Sequence, residues 1–201
     1  TWLDTSSLTS ADYMFQSCHN LKSVPALSFN KNISMQYMFT DCRSLVNIPP
    51  ITFRTVSPET EIEHFPTKMN NMFEGCTSLK SVPALDTRKV TDFNSTFSGC
   101  TSIETVPDLD FTSATEAIQM FDGCSSLKSV RIIEGSGEYD SGSLTNASQM
   151  FAGCSSLQKV ELMDSTYKSP FRNVTDASMM FSGCSSLVTI DISLMNASLL
   201  T

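Results

Sequence analysis

The sequence is poor in the residues from which active sites are usually built. It holds two histidines, His19 and His64, one in a turn phrase and one in an insertion, and neither belongs to a recognisable nucleophile–base pattern. It contains no G-x-S-x-G elbow, no G-x-x-x-x-G-K-[ST] phosphate loop and no H-E-x-x-H pair. Carboxylates are scattered rather than paired, so no catalytic residue and no cofactor is expected. Thirteen basic against twenty-one acidic residues give a net charge of -8 and no arginine-rich stripe, which excludes the usual means of neutralising nucleic-acid phosphates. No window of about eighteen apolar residues is present, so this segment is not expected to enter a membrane. The opening TWLDTSSLTS lacks the charged and apolar regions of a signal peptide.

What the chain does have is one phrase, used again and again. MFEGCTSLKSV from Met72, TFSGCTSIETV from Thr96, MFDGCSSLKSV from Met120, MFAGCSSLQKV from Met150 and MFSGCSSLVTI from Met180 are joined by looser copies from Met14 and Met38. Phenylalanine recurs at Phe15, Phe39, Phe73, Phe97, Phe121, Phe151 and Phe181. Cysteine follows three residues later at Cys18, Cys42, Cys76, Cys100, Cys124, Cys154 and Cys184, which uses every cysteine in the chain. The spacings are 24, 34, 24, 24, 30 and 30, a base period of 24 with three insertions. Periods of about 20 to 29 with Leu-x-x-Leu wording signal stacked leucine-rich repeats.

Each unit reads as two halves. In VTDASMMFSGC, Val174, Ala177, Phe181 and Cys184 recur at three or four residues, as on one face of a short helix. Thr9, Thr67, Thr91, Thr115, Thr145 and Thr175 stand where such helices would be capped, and Gly75, Gly99, Gly123, Gly153 and Gly183 where they would stop. In CSSLQKVEL, Leu157, Val160 and Leu162 alternate with outward Lys159 and Glu161, as in a half-buried strand. The expected fold class is therefore α/β: a leucine-rich-repeat solenoid of about seven coils, each a short parallel strand plus a two-turn helix. Residues 1–201 are expected to form a single leucine-rich-repeat array, a fragment of a longer chain, with a truncated eighth unit at 194–201. The phenylalanines and cysteines are its expected structural core. Because the cysteines fall once per coil rather than at ligand spacing, they read as free, buried fillers and no metal is expected.

The MF-GC-SL-x-x-VP-x-LD wording, clearest from Met72 to Asp86, resembles the repeats of BspA-like leucine-rich-repeat proteins and of bacterial surface lipoproteins. Thr96 in place of methionine, Ser17 and Asp41 in place of glycine, and the three longer units depart from that pattern. The resemblance implies an extracellular adhesive or binding role at a bacterial surface, with a protein or glycan as partner, and it carries no catalytic residues.

Four units place proline after the strand, at Pro25, Pro49, Pro83 and Pro107, where the later three have Arg131, Glu161 and Asp191. Outward residues of those later strands, Ser129, Arg131, Lys159, Glu161, Thr189 and Asp191, are the candidate binding positions, together with the insertion aromatics Phe53, Phe65, Tyr139 and Tyr167. The Asn-x-Ser/Thr triplets at Asn32, Asn94, Asn146, Asn173 and Asn196 read as products of the repeat's capping chemistry rather than as glycosylation sites. The alternative function is structural: a segment of a larger assembly such as a phage tail or head fibre, located on a virion and associating with further domains or subunits.

Overall fold

A computed structural model describes residues 4–53, 64–134, 144–164 and 171–190. Among these residues there is no helix, which overturns the α/β expectation. The seven strands are short: β1 (Leu27–Phe29), β2 (Ile33–Ser34), β3 (Ile51–Phe53), β4 (Pro66–Lys68), β5 (Leu109–Asp110), β6 (Ser129–Glu134) and β7 (Lys159–Asp164). They form three small parallel sheets, β1-β3, β2-β4 and β5-β6-β7, rather than one continuous ladder.

The segment expected to be helical is a run of overlapping turns. In every unit the residue two before the phenylalanine and the residue two after it have positive φ. In the fifth unit these are Gln119 at 54° and Gly123 at 71°. Two left-handed residues four positions apart cannot lie in a right-handed helix. They do suit turns that need positive φ at their third residue. The backbone amides then alternate between two jobs. Met120, Asp122 and Cys124 donate within the coil to Ala117, Gln119 and Phe121, whereas Ala117, Gln119, Phe121 and Gly123 donate to Asn146, Ser148, Met150 and Ala152 of the next coil. The same alternation serves the coils at Phe39, Phe73, Phe97 and Phe151. A three-to-four spacing of apolar residues thus arises without a helix, because four-residue turns, each closed by an amide bonding three residues back, bring every third or fourth side chain to one side.

The capping signature has the same explanation. Asp92, Asn146 and Asp176 accept from the amide two residues on, at 2.9 Å in each case. That is the hydrogen bond an N-cap would make, used here to open a turn. The expected threonine caps instead reach across the stack: Thr115, Thr145 and Thr175 hydroxyls donate to the carbonyls of Thr91, Thr115 and Thr145. Among the candidate glycosylation positions, the Asn32 side chain accepts from the Phe65 amide and the Asn94 side chain accepts from the Ile118 amide.

Proline sets the length of the strands. Thr105 bridges Ser129 while Leu109 pairs with Ile132, so the chain around Pro107 carries one residue more than its partner. A residue without an amide proton breaks the ladder at that point. Arg131 replaces proline in the next unit, and β6 and β7 then pair residue by residue from Ser129–Lys159 to Glu134–Asp164.

The core is a file of rings. Phe39, Phe73, Phe97, Phe121 and Phe151 are buried, and successive centroids from Phe15 to Phe181 lie 5.3 to 5.5 Å apart with interplanar angles of 12° or less. Burying each ring contributes about 1.5–3 kcal/mol. A second stack, Phe93 on Phe111 at 4.7 Å, supports the strand side.

Candidate functional site

Six of the seven cysteines are tied into the stack, whereas Cys18, expected in the core, is exposed. All seven are free thiols, and five are buried. The sulfurs of Cys42, Cys76, Cys100, Cys124, Cys154 and Cys184 each donate to the phenylalanine carbonyl of the preceding coil at 3.0 to 3.1 Å. Burial, and then the neighbouring thiol, push Cys42 up to about 11 and Cys154 up to about 12. Cys76, Cys100 and Cys124 are raised as well, by burial first and then by neighbouring thiols. A protonated, hydrogen-bonded sulfur under a ring is a poor nucleophile. The expected filler role sits under turns, where a helix had been expected.

The strand-face candidates are brought together in space. Ser129, Arg131 and Lys159 are exposed on β6 and β7, with Ser129 opposite Lys159 and Arg131 opposite Glu161. Their charges are answered locally. Arg131 Nη1 meets Asp108 Oδ2 at 2.6 Å, Lys159 pairs with Glu161, and neighbouring Lys128 pairs with Glu104. Lys159 accordingly holds the Glu161 carboxyl below its ordinary range. Thr189 is exposed in the last coil, whereas Asp191, Tyr139 and Tyr167 lie outside the described residues. The face is a mosaic of locally compensated charge.

The other candidates, Phe53 and Phe65, meet at a concavity. An open cleft of about 330 Å³ is lined by Ile51, Phe53, His64, Phe65, Ala84, Leu85, Asp86 and Arg88. Three parts of the chain build it. Phe53 ends β3 and packs against Phe29 at 5.9 Å; Phe65 enters β4, its amide held by Asn32 and its carbonyl by the Ile33 amide. Asp86 and Arg88 lie on a turn fixed to the next coil, because the buried Thr87 hydroxyl donates to the Asp110 carbonyl and accepts from the Asp110 amide. Arg88 lies over Phe65, its guanidinium carbon 4.6 Å from the centre of the ring and its Nη2 2.8 Å from Asp86 Oδ2. His64 Nδ1 is enclosed there without a hydrogen-bond partner among the described residues. The cleft offers two aromatic rings, an aliphatic wall, a carboxylate–guanidinium pair and one imidazole nitrogen still able to bond.

A family model, described as a Mycoplasma protein of unknown function, DUF285, matches residues 1–52 and 67–195. The chain belongs to the DUF285 family. No curated protein and no solved structure matches it. The DUF285 match skips residues 53–66, the segment that contributes Phe53, His64 and Phe65 to the cleft, while Ile51 and the Ala84–Arg88 wall lie inside it. The cleft is thus a local addition seated on the shared DUF285 frame. The sequence singled out its aromatics as insertion residues but missed Asp86 and Arg88. Their signal was the Leu-Asp wording that closes the third unit, which gives no hint that the turn folds back over Phe65.

Proposed function

We propose that this DUF285 chain is a non-catalytic recognition module that works outside the cell, at a bacterial surface, and binds a protein or glycan. Kinship with BspA-like surface proteins is part of the same reading. The cleft at the first insertion carries it. Flat aromatic surface beside a guanidinium and a carboxylate suits a sugar ring or a peptide side chain that needs both stacking and hydrogen bonds. The compensated charges on β6 and β7 supply a second, patterned surface on the same array.

Glycan and extracellular-protein arrays probed with the whole chain test this reading. Phe65→Ala and Arg88→Ala are expected to lower the affinity of any bound partner about tenfold or more, the loss of one central contact. Partners bound equally well by both variants and by the wild type would remove the cleft from the function.

A further inference from the structure

We propose that the cleft takes an extended peptide of a partner protein, added as a short parallel strand to the open edge of β3; this rests on the reading of the cleft as a recognition site and names what it recognises. The direction of the backbone groups decides the occupant. In a parallel ladder, alternate residues turn their N–H and C=O to opposite neighbours. β5 shows which way each points in this array. The Asp110 amide and carbonyl face back to the Thr87 hydroxyl, and the Phe111 amide donates forward to the Ile133 carbonyl at 2.9 Å. β1 is arranged alike: Ser28 faces back to the Thr5 hydroxyl, while Leu27 and Phe29 turn to β3.

In β3 the middle residue, Thr52, therefore faces β1, and the Ile51 carbonyl and the Phe53 amide face the third coil. Nothing meets them there. The bridge Asn47–Ser81 is not continued, residues 82–87 form no strand, and neither group has a bonding partner among the described residues. The reason lies in the sequence. At this place the first, second and fourth coils carry Leu27, Ser28, Phe29; Ile51, Thr52, Phe53; and Leu109, Asp110, Phe111, whereas the third carries Leu85, Asp86, Thr87. Lacking the ring, the third segment is not drawn into the ladder, and Thr87 instead closes the edge of β5 with a hydroxyl that donates and accepts. The forward edge of β3 is left opening on the cleft, which Ile51 and Phe53 line together with Leu85 and Phe65.

One peptide residue satisfies this open rung, its N–H donating to the Ile51 carbonyl and its C=O accepting from the Phe53 amide. A hydroxyl fills a rung too, as Thr5 and Thr87 do, but Ile51, Leu85, Phe53 and Phe65 also call for apolar side chains one residue before the rung and one after it. A peptide supplies both together and a sugar does not. The wording it needs is the array's own: an aliphatic residue, a free choice, then an aromatic one.

Amide hydrogen exchange followed by NMR on the whole chain tests this, with capped pentapeptides whose central residues are Leu-Ser-Phe or Ile-Thr-Phe. In the free chain the Phe53 amide is expected to exchange about tenfold or more faster than the bonded Phe111 amide. Saturating peptide is expected to slow Phe53 about tenfold or more and to leave Phe111 unchanged. The same peptide N-methylated at its middle residue lacks the donor for the Ile51 carbonyl and is expected to have no effect. A Phe53 amide already protected in the free chain overturns the proposal, as does exchange that no peptide slows or that the N-methylated peptide slows equally. If glycans or proteins are then still bound, and are lost in Phe65→Ala and Arg88→Ala, strand addition fails while the recognition role of the cleft stands. If those variants bind every partner as the wild type does, both fail.

Discussion

At the scale of the residue, the cysteine illustrates how one atom serves two demands. The coil needs something small and apolar beneath the ring, and it needs a donor for a phenylalanine carbonyl that already accepts one amide. A thiol does both, and an alanine or valine would do only the first. The thiols also set a pH limit. Their folded values lie above the ordinary 9.0, so the stability they contribute is complete below pH 9.0 and is lost as pH rises through the folded values of about 11 for Cys42 and about 12 for Cys154. Thermal unfolding followed from pH 8 upward should show a melting temperature that falls steeply on the alkaline side of 9.0. Substituting the buried cysteines by valine should shift that fall upward. A melting temperature independent of pH over this range would contradict the thiol assignment.

At the scale of the element, the unit of structure is the run of turns, and its glycine is the most constrained position. Gly153 has φ of 72°, and a Cβ added there would lie 3.3 Å from Gly123 of the preceding coil; the same atom at Gly123 would meet Gly99 at 3.9 Å. Both substitutions incur left-handed strain of about 1–2 kcal/mol. Only Gly153→Ala adds a close backbone contact, so chemical denaturation should rank it the more destabilising by about 1 kcal/mol or more. Equal effects would show that the coils separate more easily than their packing implies.

This is also where sequence reading reached its limit. The repeat length, the ring position and the break at proline were legible, because each follows from side-chain chemistry that recurs. The helix was not there. Apolar spacing of three and four, a Thr-Asp or Thr-Asn opening and a closing glycine are shared by a two-turn helix and a run of turns. The distinguishing fact is positive φ at Tyr13, Tyr37, Asn71, Ser95, Gln119, Gln149 and Met179. Those residue types share nothing that marks a left-handed backbone, and only asparagine is commonly found there. Phe53 and Phe65 were legible as candidates because they stand in an insertion, whereas Asp86 and Arg88 join them through folding alone.

At the scale of the whole molecule, stability is distributed along an axis rather than gathered in a centre, since each coil is satisfied only by its neighbours. The insertions interrupt the period without interrupting the file of rings, so an array of this kind can carry a cleft at its side while its axis stays in register.

The claim beneath all of this is that alternate amides bond to the next coil instead of to their own turn of a helix. Scalar coupling across hydrogen bonds, measured by NMR on isotope-labelled protein, reads that directly. The account predicts couplings from the Phe97 amide to the Met120 carbonyl and from the Phe121 amide to the Met150 carbonyl, where the separations are 2.8 Å. Couplings from Phe97 to Phe93 and from Phe121 to Ala117, the partners a helix would use, would contradict it.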